Sequence, residues 1–196
     1  TQETVNNGWL HSGDAGYFQD NGQLVIIDRL KDVMHLADGT KFSPQFMENK
    51  LKFSPYIREA VVLGQGRSRP TAIVCIDFEI VGRWAETKLV TYTTYQNLAE
   101  KDEVYAFIKE QIESINQTLP EKTRIRRFAL LYKELDADDD ELTRTHKLRR
   151  EIVTERYQEL IEGLYSDKNS MRLATRIRYQ DGRVREMDGV LKLMDV

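Results

Sequence analysis

The spacing of apolar residues changes several times along the chain, and each change marks an element. Gly16-Tyr17-Phe18 and Gln23-Leu24-Val25-Ile26-Ile27 are short extended runs separated by Gln19-Asp20-Asn21-Gly22. Asn-Gly between such runs predicts a hairpin, because both residues tolerate positive φ. The segment before Trp9 reads as loop. The charged stretch Asp28-Arg29-Leu30-Lys31-Asp32 leads to a second hairpin around Ala37-Asp38-Gly39, where glycine supplies the backbone freedom of the turn. Ser43-Pro44 reads as an N-cap followed by proline at the first helical position, and predicts a helix to about Phe53 with Met47 and Leu51 on its buried face. Residues 59–63 and 71–78 are apolar runs that read as strands of a central sheet, joined by a turn over 64–70. A short helix is expected over 80–87. A longer one over 102–119 carries Val104, Ile108, Ile112, Ile115 and Leu119 at intervals of three and four, and Pro120 stops it. Residues 124–132 read as a third strand, 136–141 as an acidic loop and 149–164 as a helix. Residues 171–179 and 184–193 read as a last hairpin around Asp181-Gly182.

The expected architecture is therefore α+β: β-hairpins, then a small three-stranded sheet flanked by helices, then a C-terminal hairpin. At 196 residues the chain suits one domain with an appendage. Hydrophobic residues make up 40% and charged residues 31%, a globular composition with enough apolar surface for a core. The formal net charge of −3 gives no field that would draw the chain to nucleic acid or to an anionic membrane. The single cysteine, Cys75, lies within the apolar run Ala72-Ile73-Val74-Cys75-Ile76 and reads as a buried strand residue; one cysteine excludes an internal disulfide framework. No apolar stretch approaches the roughly 18 residues needed to span a bilayer, and the N-terminus lacks a signal pattern, so a cytoplasmic protein is expected. A start at Thr1, in loop-like sequence, suggests a piece of something longer.

Few residues carry chemistry on their own. His11, His35 and His146 are far apart and have no second ligand at metal-binding spacing, so no metal site is expected. Nucleotide-binding glycine loops and nucleophile elbows are absent. Ser12-Gly13-Asp14 places a carboxylate after a glycine just before a strand, which suits either a turn-stabilising Asx residue or an acceptor for a vicinal diol such as ribose. Arg29 and Lys31 follow a strand at alternate positions and suit either a solvated strand end or a shared functional side. The run from Leu142 to Arg150 is a dense cation cluster, and charge runs are ordinarily solvated faces, with phosphate or carboxylate binding as the alternative.

Taken in order, Gly8-Trp9-Leu10-His11-Ser12-Gly13-Asp14-Ala15-Gly16, the run from Asp20 to Asp32, and Gly39 with Ser43-Pro44-Gln45 resemble the C-terminal motifs of AMP-forming acyl-CoA synthetases. Glu141-Leu142-Thr143, Thr145, Lys147 and Arg149-Arg150, followed by a helix with Tyr157, resemble the terminal lysine motif of the long-chain fatty acid branch. The resemblance covers about residues 8–165. It implies that residues 1–30 end an N-terminal domain as its ribose-binding hairpin and that 31–165 form the C-terminal lid domain of the adenylate-forming superfamily; residues 166–196 lie beyond it and read from their own pattern as an appended hairpin covering apolar surface. It also implies that Asp14 and Arg29 contact the ribose of ATP, that Lys31 is the hinge between adenylation and thioester formation, and that Lys147 is the catalytic lysine. The turn at Asp38 and Gly39 would line the pantetheine tunnel. Two departures stand out: the family more usually has proline at the position of Arg144 and an apolar residue at that of His146, and its glycine pair at the tunnel turn is here Asp38-Gly39.

The implied parent is a ligase that converts a fatty acid and MgATP to acyl-AMP and pyrophosphate, then transfers the acyl group to CoA and releases AMP. ATP and Mg2+ would be held mainly by an N-terminal domain of the same polypeptide, with CoA as co-substrate and peripheral membrane association open to the parent. The isolated chain is expected to be inactive. Alternatives are a ligase for another carboxylic acid or for a carrier-protein thiol, and a noncatalytic binding module of the same fold.

Overall fold

A computed structural model describes the backbone of residues 5–6, 9–178 and 184–196 and the side chains of 11–174 and 188–196. The chain starts with three small antiparallel ribbons: β1 (Val5–Asn6) with β2 (Trp9–Leu10), β3 (Asp14–Phe18) with β4 (Leu24–Arg29), and β5 (Met34–His35) with β6 (Lys41–Phe42). The stretch expected to be loop before Trp9 thus holds a two-residue strand, although residues 1–4 and 7–8 lie outside the described residues. Both predicted hairpins form. Gly22 and Gly39 sit at φ +80° and +81°, the conformation their turns require. In the second turn Asp38 accepts from the Thr40 N–H (2.9 Å) and from Lys122 Nζ (2.9 Å), and these donors hold its carboxyl well below the usual carboxylate range. The contact with Lys122 ties the turn to a segment 84 residues away.

Next comes α1 (Pro44–Lys52), whose first turn is capped as expected: Ser43 Oγ accepts from the Phe46 N–H at 3.0 Å. The sheet then begins with β7 (Ile57–Leu63) and β8 (Thr71–Ile76), paired antiparallel. Three helices follow, α2 (Phe78–Thr87), α3 (Tyr95–Ala99) and α4 (Asp102–Asn116), before β9 (Arg127–Leu130) returns parallel to β8. A parallel pair needs a long crossover, and the helices supply it. The remaining elements are α5 (Arg150–Arg156), α6 (Gln158–Leu164), β10 (Ser170–Arg178), β11 (Val184–Lys192) and β12 (Met194–Asp195). The last of these pairs with β9, so the sheet has the order β12-β9-β8-β7 and four strands where three were expected. The turn expected at Asp181-Gly182 lies outside the described residues.

Alternation along the strands divides the core into two layers. Ala60, Val62, Ala72, Val74, Ile76, Phe128 and Leu130 face one way and pack with α1, α2, α3 and α4. Val61, Leu63, Ile73, Cys75, Ala129 and Leu131 face the other way and meet Val153, Leu160 and Leu164 of α5 and α6, together with Leu173, Leu191 and Leu193 of the last hairpin. Because both faces are covered, β8 is buried throughout and reads in sequence as an unbroken apolar run. Each fully buried aliphatic side chain stabilises such a core by about 1.5–3 kcal/mol. Cys75 is buried as expected, and burial pushes its thiol up, away from thiolate chemistry.

The C-terminal hairpin is fastened by polar contacts as well. Buried Arg127 donates to the backbone carbonyls of Ser166, Lys168 and Leu193. The Tyr105 hydroxyl donates to Lys192 O and accepts from the Leu130 N–H, each at 3.0 Å, which clips β11 to β9. The helix expected over 149–164 is two helices, broken at Tyr157 (φ −103°, ψ 23°).

Two predictions follow from local geometry. Helix α2 ends in a Schellman motif, with Val90 N–H on Ala85 O (2.9 Å) and Leu89 N–H on Glu86 O (3.1 Å), yet the left-handed position is held by Leu89 at φ +58° with its side chain 89% exposed. Leu89→Gly should raise the unfolding free energy by about 0.5–1 kcal/mol in urea titration; a lower midpoint would show that the leucine side chain contributes more than its backbone strain costs. For Asp38 the folded carboxyl lies below its unfolded value, so its stabilisation is complete above the unfolded value and is lost only as pH falls through the folded one. Its carboxyl carbon resonance should therefore show no midpoint at about pH 3.5–4.5, where unperturbed aspartates titrate.

Candidate functional site

The bulged pairing of β3 with β4 places Asp14 directly opposite Arg29. Arg29 Nη1 lies 2.8 Å from Asp14 Oδ1 and also donates to Ser12 O at 3.1 Å. Gly13 makes the approach possible at φ +73°, where its carbonyl accepts from the Leu30 N–H at 2.8 Å. Both side chains are at the surface, where such a pair adds at most about 1 kcal/mol to stability. Its interest is chemical: a carboxylate acceptor and a guanidinium donor are presented side by side at one ribbon edge.

Past Arg29 the chain makes a single 3-10 turn, Leu30–Asp32, bounded by extended residues at Arg29 and Val33, with Lys31 exposed on it. A contact across this turn links its two sides. The Ser43 hydroxyl donates to Asp28 Oδ2 at 2.5 Å, while Asp28 Oδ1 accepts from the Arg29 N–H. Asp38 and Gly39 are exposed on the second hairpin, which is docked on the 64–67 turn through Ala37 N–H to Arg67 O and Gly66 N–H to His35 O, both 2.8 Å.

Lys147 lies on a short closed loop. Leu142 and Leu148 form an antiparallel bridge, Thr143 N–H donates to Lys147 O (2.8 Å), His146 N–H to Thr143 O (2.8 Å) and Lys147 N–H to Thr143 Oγ1 (3.0 Å). Arg144 thus takes the second position of a β-turn, one where proline is also favoured. His146 stands at φ +55°.

The base of this loop is a buried charge cluster. Glu141 is 0% exposed. Its Oε1 accepts from Tyr157 OH (2.6 Å) and Arg156 Nη1 (2.8 Å), and its Oε2 from Lys133 Nζ (2.6 Å) and the Asp136 N–H (3.2 Å). Lys133 Nζ also reaches Asp139 Oδ2 at 2.7 Å. The acidic loop expected over 136–141 is thus partly interior. Burial, together with the adjacent Glu141 charge, drives the Tyr157 phenol far above its ordinary range. Removing one partner from such a cluster typically costs about 3–5 kcal/mol, since it leaves an unpaired buried charge.

A second buried pair joins the loop's exit to α1: Arg150 Nη2 meets Glu48 Oε1 and Oε2 at 2.6 and 2.7 Å, and Glu48 Oε1 accepts from the Val62 N–H at 2.8 Å. Burial pushes the Glu48 carboxyl up, against the pull of Arg150. Of the five cations between residues 141 and 156, Arg149, Arg150 and Arg156 are ion-paired, whereas Arg144 and Lys147 have no carboxylate partner among the described residues. Lys147 is exposed at the lip of a groove of about 1000 Å³ that runs between α1 and α5 and reaches Asp28 and Asp32.

The structure thus brings Asp14 and Arg29 together, sets Lys31 next to them and places Lys147 on a separate, pinned loop. Glu48, Lys133 and Arg156 were not picked out from sequence; their side-chain partners lie 6 to 102 residues away, at no spacing that a local pattern reveals. No helix among the described residues is long and apolar enough to cross a membrane.

Comparison with known proteins places the chain in a family. Long-chain-fatty-acid–CoA ligase FadD15 of Mycobacterium tuberculosis is 30% identical over 85% of this chain and 28% of its own length. Long chain acyl-CoA synthetase 1 of Arabidopsis thaliana is 31% identical over 84% of this chain and 25% of its own. The chain thus spans about a quarter of the length of these relatives. Among solved structures, the adenylation domain of a carboxylate reductase from Mycobacterium chelonae superposes with a TM-score of 0.63 at 24% identity, over 85% of this chain and 25% of that one, a likeness of fold. Residues 31–169 match the family described as AMP-binding enzyme C-terminal domain. That match takes in well over half of the sequence, and the chain belongs to this family.

Proposed function

We propose that this chain is the C-terminal portion of an AMP-forming acyl-CoA ligase that acts on long-chain fatty acids. Residues 31–165 form the lid, and 1–30 the ribose-binding end of an N-terminal domain. The observation that carries the reading is Lys147, an exposed ammonium without a carboxylate partner among the described residues, at the end of a pinned loop whose arginines, Arg144 apart, are all paired. A cation left unpaired on a rigid support is available to a ligand anion. Support also comes from the ribbon of β3 and β4, where Tyr17, Phe18, Leu24 and Ile26 are exposed and Phe18 is 74% accessible, apolar surface that an adjoining domain would cover.

Attack of a fatty carboxylate on the α-phosphorus of ATP brings two anions together and concentrates charge on the phosphoryl oxygens; the Lys147 ammonium offsets that repulsion. Asp14 accepts from the ribose hydroxyls, and Arg29, held against it, contacts the same sugar. Rotation at Lys31 withdraws Lys147 after acyl-AMP forms and brings the Asp38–Gly39 turn toward the pantetheine of CoA, so that one site serves two reactions. Magnesium belongs with ATP on the N-terminal domain. No three metal-ligating side chains converge among the described residues, and no step is assigned to a metal held by this chain.

The test is made in the full-length ligase by separating the half-reactions. Lys147→Ala should lower acid-dependent pyrophosphate exchange by about 100-fold or more while sparing CoA thioester formation from supplied acyl-AMP. Asp14→Ala should raise the KM for ATP. Equal loss of both half-reactions in Lys147→Ala would assign the lysine a folding role and overturn its catalytic one.

A further inference from the structure

The buried cluster beneath the lysine loop has a place in the structure but no part yet in the chemistry. Four donors converge on Glu141 from two stretches of chain: Lys133 and Asp136 after β9, and Arg156 with Tyr157 at the junction of α5 and α6. The backbone of the same residue is the root of the loop. Glu141 N–H donates to Asp136 O at 3.0 Å, and Glu141 O accepts from the Arg149 N–H at 2.9 Å, which closes the loop two residues beyond Lys147. One residue therefore holds both ends of the segment through its main chain and fixes that main chain to the core through its side chain.

Two further features show that the loop is held rather than relaxed. Asp140 and His146 both adopt positive φ, +62° and +55°, flanking the segment on one side and lying within it on the other. Non-glycine residues keep such conformations only where their surroundings over-determine them. The break between α5 and α6 falls at Tyr157, the residue whose hydroxyl reaches Glu141. A continuous helix would satisfy the local apolar pattern of this region, yet the chain interrupts it where this hydrogen bond is made.

We propose that Glu141, with Tyr157, Arg156 and Lys133, is a positioning element for Lys147: the cluster sets the place of the loop before nucleotide arrives, so that the ammonium meets the phosphoryl group without reordering its backbone. These residues act through Lys147 and do not touch substrate. This inference rests on the ligase reading above. A displacement of about 1 Å in a reacting group can lower a rate by about 100-fold, which sets the scale of the expected effect. The cluster should matter for adenylation, the half-reaction that uses Lys147, and not for thioester formation, from which the loop is withdrawn.

The experiment compares four variants of the full-length ligase: Lys147→Ala, Tyr157→Phe, Glu141→Gln and Leu160→Ala. Leu160 is buried in the same layer of the core and stands outside the cluster, so Leu160→Ala provides a destabilised control. For each, kcat and KM for ATP are measured in pyrophosphate exchange, together with thioester formation from supplied acyl-AMP and the thermal midpoint. Tyr157→Phe should lower the adenylation kcat by roughly 10-fold, and Glu141→Gln by up to roughly 100-fold. The KM for ATP should stay within about twofold and the thioester rate should be retained, because neither residue binds substrate. Leu160→Ala should lower the midpoint with the ratio of the two half-reactions unchanged. If Glu141→Gln does not fold, Tyr157→Phe decides, since it removes a single hydroxyl. If Tyr157→Phe and Glu141→Gln behave as Leu160→Ala does while Lys147→Ala loses adenylation alone, the positioning role is overturned and the ligase reading stands. Should Lys147→Ala leave adenylation intact, the reading underneath fails.

Discussion

A carboxylate shut away from water must be met by donors on nearly all of its lone pairs, and in this chain the requirement falls on Glu141. Lys133, Arg156, Tyr157 and the Asp136 amide satisfy it, and in doing so they bring together the end of the sheet, the acidic loop and the junction of α5 with α6. Hydrophobic burial on the second face of the sheet is nondirectional and would accept several placements of these helices. The charge cluster accepts few, because each donor has a fixed reach and leaving any one unmet is costly. Arg150 with Glu48 plays the same part on the other side of the loop, tying its exit to α1. Between these two anchors the six residues from Leu142 to Lys147 have little freedom.

Features governed by local chemistry were legible in the sequence. Asn21-Gly22 and Asp38-Gly39 announced turns because only certain residues tolerate positive φ, and Ser43-Pro44 announced a helix start because it satisfies or removes orphan N–H groups. The run at Ala72 to Ile76 identified a central strand because both faces of it are covered. Features that depend on distant partners were not legible. The two-residue strand at Met194–Asp195 has no propensity signal and exists because β9 offers it an edge. Helix α3, at five residues, is too short for a periodicity. The break at Tyr157 interrupts the helical spacing of Ile152, Leu160 and Leu164, and it falls where the Tyr157 hydroxyl meets Glu141, 16 residues earlier.

The candidate site divides in the same way. Asp14 and Arg29 were conspicuous as motif residues, and hairpin register alone makes them neighbours, so pattern and geometry lead to the same pair. Lys147 could be picked out as one cation in a dense cluster, but not as different from the arginines around it. That difference emerges only when each arginine except Arg144 is found to be committed to a carboxylate. A charge run that looks uniform in sequence is thus sorted by the fold into structural cations and available ones.

The hydrogen bond from Ser43 to Asp28 joins residues on opposite sides of the turn at Leu30–Asp32. Ser43 also caps α1, so the same oxygen that starts the helix grips the strand before the turn. Any swivel about residues 29–33 that carries α1 away from β4 has to rupture this grip and expose the Asp28 carboxylate to solvent. For the rotation proposed at Lys31, this contact would act as a detent rather than a point on a smooth arc: the arm would rest in a notch, and leaving it would begin with one short bond.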